Sequence, residues 1–305
     1  MKLKRRQFLF LSSLSAISTS FLGCALARQN NQSADINDLT TTIAANIAKE
    51  ELLLRFVSVA DTGTGDKGQY AVAGAMNAYH KEKPYDLVVL AGDNIYNNGE
   101  IEKINAVFER PYKVLLKQGV KFQACLGNHD IRTANGDPQV KYAGFNMKGR
   151  YYTFKREAVQ FFALDTNSNA NWKNQLLWLE KELSLSNAPW KVVFGHHPIY
   201  ASGHYGSNPE FIKIFTPLFQ KYGVQVYING HEHHYERTRA INGTTYLITG
   251  AGAGSRPVKR SEWTEYSAQK LSFAAYEVYT DRIEVSAIAT DNSVFDQGII
   301  QLKSA

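Results

Sequence analysis

The sequence predicts an α/β fold in which two packed, mixed β-sheets are flanked by helices, and three observations carry that prediction. Short apolar runs alternate with helical stretches from residue 51 to about residue 150, the pattern of βαβ units with parallel strands. Beyond residue 150 the order changes to neighbouring antiparallel strands and hairpins, which asks for a second sheet. With 305 residues, 44% of them hydrophobic and 12% aromatic, the chain can bury a large core.

In chain order, Leu52 to Ala60 reads as a buried strand ending at Asp61, and Gly68 to Lys81 as a helix. Asp86 to Ala91 is a second strand, ending at Gly92-Asp93, and Glu100 to Leu116 a second helix. Phe122 to Leu126 is a third strand, ending at Gly127-Asn128-His129-Asp130. Tyr151 to Lys155 and Ala158 to Leu164 read as an antiparallel pair. Trp172 to Leu183 is helical, Lys191 to Phe194 a strand, Pro209 to Tyr222 a helix and Val224 to Ile228 a strand. Asn242-Gly243 is a hairpin turn, and strands near 272–279, 282–289 and 297–302 complete the pattern.

Composition excludes wholesale disorder, collagen, coiled coil and a polytopic membrane protein. The net charge of +6 is largely local: Lys2, Lys4, Arg5 and Arg6 contribute four charges, leaving +2 for residues 28–305, so nucleic acid is not an expected partner. Residues 1–27 read as an export signal, with a basic start, an apolar stretch from Phe8 to Leu22 and small residues after it. Arg5-Arg6-Gln7-Phe8-Leu9 resembles a twin-arginine signal, the alternative being an ordinary secretory one. Cleavage after Ala25-Leu26-Ala27 and lipid attachment at Cys24 both remain open, so periplasmic or cell-surface placement is expected, with a lipid anchor as one form of it. Residues 28–50 read as a linker and 51–305 as one domain. Cys125, alone once Cys24 is removed or lipidated, reads as a small core residue.

The unusual residues fall at strand ends. Asp61, Asp93, Asn128-His129, His196 and His231 each follow an apolar strand, and the carboxyl ends of strands form the ligand crevice of an open α/β sheet. Three Gly-His pairs occur (Gly195-His196, Gly203-His204, Gly230-His231), where shuffling this composition gives about 0.6. Hard oxygen donors and imidazoles converging from rigid elements are what a metal site requires. His231 and His233 in Gly230-His231-Glu232-His233 read as ligands, whereas His80 on its helix face reads as structural.

Asp61-Thr62-Gly63, Gly92-Asp93-Asn94-Ile95-Tyr96, Gly127-Asn128-His129-Asp130, Gly195-His196-His197-Pro198 and Gly230-His231-Glu232-His233 stand in the order of the calcineurin-like metallophosphoesterases. Over about residues 54–254 the chain resembles the purple acid phosphatases within that superfamily, especially the small, tartrate-resistant type. Asp61-x-Gly63 and Tyr96, three residues after Asp93, select that subgroup. The resemblance implies a four-layer αββα sandwich and a dinuclear centre. Asp61, Asp93, Tyr96 and His233 would hold Fe(III), and Asp93, Asn128, His196 and His231 a divalent Fe, Zn or Mn, with Asp93 bridging. A hard tyrosinate suits a trivalent ion, and a neutral amide with imidazoles suits a divalent one.

Two such cations about 3.5–4 Å apart clamp phosphate and activate water for in-line attack. The resemblance gives His129 and His204 as the groups over the phosphate and leaving group, although His204 stands only eight residues after His196, one fewer than the animal enzymes suggest. The expected activity is hydrolysis of phosphorylated small molecules, as an exported acid phosphatase. A phosphodiesterase or nucleotide hydrolase on the same centre is the alternative, and a non-catalytic phosphate- or metal-binding relative a further one. His197 and His234 adjoin the ligand positions and would exchange roles with them on a one-residue shift. Asp165 either orients a ligand or caps a turn, and Gly250 to Gly254 reads as backbone passing close to the site.

Overall fold

The computed structural model describes residues 51–302. The stretch read as an export signal (1–27), with Cys24, and the expected linker (28–50) lie outside the described residues. Two sheets are present. In the first, β1 (Leu54–Val59), β2 (Leu87–Leu90) and β3 (Lys121–Ala124) run parallel. β11 (Ser272–Val278), β12 (Arg282–Ala289) and β13 (Val294–Gln301) extend it antiparallel from the other side of β1, in the order β13-β12-β11-β1-β2-β3.

The second sheet has a parallel centre formed by β5 (Val159–Ala163), β6 (Trp190–Phe194), β7 (Val226–Asn229) and β9 (Thr245–Thr249). Antiparallel partners close its edges: β4 (Tyr152–Arg156) beside β5, and β8 (Tyr235–Thr238) with β10 (Thr264–Ala268) beside β9.

Period-two alternation explains the layering. On β1, Phe56 faces the other sheet, meeting Phe161 edge-on at 5.2 Å and stacking on Tyr276 at 4.3 Å. Val57 and Val59 face the opposite way, into a cluster with Val72 and Met76 of α1 (Lys67–Glu82). The second sheet is likewise two-sided: Phe162, Val193 and Tyr227 pack under Leu179 of α4 (Trp172–Leu185) and Phe215 of α5 (Pro209–Tyr222). Strands buried on both faces are continuous apolar runs because neither face meets water. The result is helix, sheet, sheet, helix.

Two stretches depart from the sequence reading. The helix expected over Glu100 to Leu116 is broken into a 3₁₀ turn (Ile101–Lys103), a π turn (Asn105–Glu109) and a short helix α2 (Lys113–Lys117). Pro111 lacks the N–H that a continuous helix needs, and the Arg110 N–H bonds back to Asn105 instead. The loop after β3 contains a short helix α3 (Asp137–Lys141), and β10 is an added edge strand with only partly buried residues. Its weak apolar alternation left it unreadable. Among the described residues no helix is long and apolar enough to cross a membrane.

Candidate metal centre

The carboxyl ends of five strands from both sheets deliver the polar residues to one place. Asp61 follows β1, Asp93 follows β2 and Asn128 follows β3, while His196 follows β6 and His231 follows β7. The main chain joins the two sheets here: Ala60 N–H donates to Thr249 O at 2.9 Å, and His231 N–H to Asp61 Oδ2 at 2.8 Å. Asp61, Asp93 and His231 hold left-handed φ values of 58°, 52° and 68°. Non-glycine residues adopt these at a cost of about 1–2 kcal/mol each, and such strain concentrates where surroundings over-determine a site.

Three donors form one triangle. Tyr96 Oη lies 2.9 Å from Asp61 Oδ1 and 3.2 Å from His233 Nε2, and the last two are 3.4 Å apart. A second group surrounds His196, whose Nε2 is 3.1 Å from Asn128 Oδ1 and 3.4 Å from Asp93 Oδ2. The His231 ring lies 5.2 Å from that of His196 and 4.7 Å from that of His197. Asp61, Asp93 and His196 present ligand atoms within 4.8 Å of one another, so Asp93 borders both groups. Two donors about 2.1 Å from one ion at right angles stand about 3.0 Å apart, so these spacings suit metal ions.

Tautomers are fixed by neighbours. His196 Nδ1–H donates to Ala91 O at 3.0 Å, leaving Nε2 for the cluster. His129 Nδ1–H donates to Asn97 O at 2.7 Å, leaving Nε2 to face Arg132 Nη2 at 3.3 Å, while its backbone N–H donates to Asp93 Oδ1 at 2.9 Å. Burial would raise Asp93, but the His196 beside it overrides burial and holds the carboxyl well below the usual range. Burial would correspondingly lower His196, yet Asp93 and Asp61 lift it to about 10. His197 is pushed down to about 3 and His231 to about 2, first by burial and then by His196. Burial, Asp61 and Asp93 raise the Tyr96 phenol far above its ordinary value. A tyrosinate here therefore needs cations to balance those carboxylates.

The adjoining histidines separate. His234 is fully buried on the far side, 3.3 Å from Glu236 Oε2. His197 Nδ1 pairs with Thr166 Oγ1 at 2.9 Å. His204 is exposed, its ring 4.9 Å from that of Tyr205, which stacks on His231 at 4.4 Å. It thus stands at the rim, whereas His129 packs against Tyr96 at 4.5 Å. Asp165 caps its own turn through Asn167 and pairs with Arg150 at 2.8 Å. Gly250 leaves no room for a Cβ against Asp61 and Glu232, in keeping with backbone passing close by. Cys125 is buried in the core.

Three positioning residues escaped the sequence reading. Buried Asp130 accepts from the N–H groups of Asn94, Ile95 and Gly127 and from Asn94 Nδ2, tying the ends of β2 and β3 together. Burial and Asp93 push its carboxyl up to about 7. Thr166 Oγ1 accepts from the N–H groups of His196 and His197 at 3.1 and 2.9 Å. Buried Glu232 accepts from the consecutive N–H groups of His204, Tyr205 and Gly206 at 2.5–2.9 Å. The available signal was alternation: in His231-Glu232-His233-His234, every second residue faces away from the centre.

A cleft of about 410 Å³ adjoins the centre, lined by His197, Tyr205, Pro209 and His231 among others. A separate cavity of about 850 Å³ is lined by Arg237, Glu265 and Glu284 among others and includes none of the site residues.

The sequence model of the family described as "Calcineurin-like phosphoesterase" matches residues 54–235. Purple acid phosphatase 17 of Arabidopsis thaliana is 28% identical over 243 residues, covering 68% of this chain and 70% of the relative. Tartrate-resistant acid phosphatase type 5 of Homo sapiens is 28% identical over 248 residues, covering 68% and 76%. Among solved structures, GAP50, the anchor in the inner membrane complex of Plasmodium, superposes with a TM-score of 0.74 at 21% identity, covering 83% of this chain and 90% of its own.

Proposed function

The chain belongs to the calcineurin-like phosphoesterase family, metal-dependent hydrolases of phosphoesters, and from that premise we propose that it is an exported, dinuclear-metal acid phosphatase acting on phosphomonoesters. The observation that carries the reading is the pair of donor groups, Asp61-Tyr96-His233 and Asn128-His196, on either side of Asp93. Asp61, Asp93, Tyr96 and His233 would hold Fe(III), and Asp93, Asn128, His196 and His231 a divalent Fe, Zn or Mn. Bound there, the cations would draw charge from the phosphate and lower the pKa of water for attack at phosphorus.

The chain's own groups do the rest. The His129 backbone N–H fixes the Asp93 carboxylate, and the ring is oriented by its Nδ1–H on Asn97 O, with Nε2 turned toward Arg132. In the imidazolium form, with Nδ1–H still on Asn97 O, Nε2–H is the group from which a proton reaches the leaving oxygen. His204 would assist from the rim, on the loop that Glu232 holds. Buried Thr166 and Asp130 keep the backbone around His196 and Asp93 from shifting.

The test is the protein purified in air, with its metal content, visible spectrum and hydrolysis of 4-nitrophenyl phosphate beside bis(4-nitrophenyl) phosphate. The expected result is two metals, a visible charge-transfer band lost in Tyr96→Phe, and a monoester preference that falls about 10²–10⁴-fold in His129→Ala. A metal-loaded protein that hydrolyses neither ester overturns the reading, and a large diester preference moves it to phosphodiesters. Export is supported by Arg5-Arg6 and the apolar stretch after them. Cell fractionation of the full chain and of Arg5→Lys with Arg6→Lys checks it; cytoplasmic retention of both, or unchanged export of both, removes the twin-arginine assignment.

A further inference from the structure

One arginine at the centre is used by neither the donor set nor the proton-transfer groups. Arg132 is exposed, in the turn that follows Gly127 to Asp130. Its Nη1 donates to Asn97 O at 3.1 Å, and its Nη2 lies 3.3 Å from His129 Nε2. Asn97 O also accepts His129 Nδ1–H, so one backbone carbonyl orients both side chains. Among the described residues no carboxylate lies within ion-pair distance of Arg132. Arg256, near the opposite rim, is differently engaged, lying over the Tyr205 ring at 5.6 Å.

Distances order these groups outward from the centre. His129 Nε2 is 3.9 Å from Asp93 Oδ2 and 3.3 Å from Arg132 Nη2, while Arg132 makes no ion pair with Asp93. The guanidinium therefore stands one group further out than the nitrogen that meets the leaving oxygen. With Nη1 on Asn97 O and Nη2 against His129 Nε2, the guanidinium plane is set, and its Nε–H and the second hydrogens of Nη1 and Nη2 remain for a ligand; such a plane pairs best with two oxygens of one carboxylate or phosphate.

We propose that Arg132 binds a second anionic group carried by the leaving group, so that the favoured substrates are phosphate esters or anhydrides with a carboxylate or phosphate close to the scissile oxygen. This deepens the phosphomonoesterase reading and rests on it. Hydrolysis stays balanced as for any monoester: water adds its oxygen to phosphorus and releases one proton, the P–O bond to the leaving group breaks, that oxygen takes a proton from Nε2–H of the His129 imidazolium, and the proton released by water restores the ring.

The metal-loaded enzyme and its Arg132→Gln and Arg132→Lys variants are assayed on three short probes: ethyl phosphate, phosphoglycolate and inorganic pyrophosphate. Arg132→Gln is expected to lower kcat/KM for phosphoglycolate, pyrophosphate or both at least tenfold, mainly through KM, with a loss at least fivefold smaller on ethyl phosphate. Arg132→Lys recovers part of that loss. Loss on one anionic probe alone identifies the anion. Calorimetry gives a readout without turnover: wild type should prefer phosphonoacetate to ethylphosphonate, and Arg132→Gln should erase the preference. Equal losses on all three probes assign Arg132 to the reacting phosphate or to folding and overturn the proposal, as does no loss on any. Hydrolysis of ethyl phosphate by wild type separates that failure from failure of the phosphatase reading itself.

Discussion

Between His231 and His233, Glu232 turns away from the centre and takes the amides of residues 204–206. Its carboxylate has an acceptor for each of three donors in a fully buried place, so the loop carrying His204 and Tyr205 is fastened to the backbone between two expected ligands. Glu232→Gln keeps the volume but turns one acceptor into an NH₂ that faces an N–H. Leaving a buried donor unmatched costs about 1–3 kcal/mol. The expected outcome is faster hydrogen exchange at residues 204–206 and lower kcat, with metal content retained; exchange that stays at the wild-type rate would remove Glu232 from this role. Asp130 does the same for the loops after β2 and β3. Both are acidic residues inside sequence runs that were legible, yet their work is on backbone amides far along the chain, and spacing carries no record of that.

At the scale of elements, the strand ends were the most readable part of the molecule, because strands buried on both faces are continuous apolar runs and the polar residue that stops each run marks its end. Helix α5 runs from Pro209 to Tyr222, the bounds read from the sequence, with a proline in its first turn and Gly223 left-handed just past its end. The interrupted stretch around Pro111 and the edge strand β10 were not readable, since local packing, not periodicity, sets them. Glycine shows the same contrast. A Cβ on Gly127, just past β3, would overlap Asp93, whereas one on Gly74, within α1, meets nothing within 4 Å. Gly127→Ala should therefore destabilise by about 1–3 kcal/mol and impair metal uptake. Gly74→Ala should stabilise by roughly 0.5–1 kcal/mol. Urea denaturation of the two variants beside wild type checks both signs, and similar midpoints for the pair would contradict the crowding argument.

For the molecule as a whole, acid stability depends on charges outside the centre as well as within it. Glu277 on β11 faces Arg55 across the strand pair at 2.7 Å and takes Lys83 at 2.6 Å. Burial opposes ionisation, but hydrogen bonds from Lys83 and Arg55 hold the carboxyl below its ordinary 4.5. A depressed folded pKa contributes stability that is complete above the unfolded value and is lost as pH falls through the folded one. Glu277→Gln should thus cost up to about 1 kcal/mol at pH 7 and progressively less below pH 4.5. Denaturation midpoints at pH 7, 5 and 3.5 measure it, and a difference that persists unchanged into acid would assign the loss to packing. The joining of both sheets at the centre has a further consequence, in time rather than space. The His231 amide meets the Asp61 carboxylate across 170 residues of chain, so the donor groups cannot assemble until the two sheets have docked. Metal capture is then a late step of folding. The rate at which refolding protein takes up metal would report sheet docking directly, as a clock that local strand and helix formation cannot start.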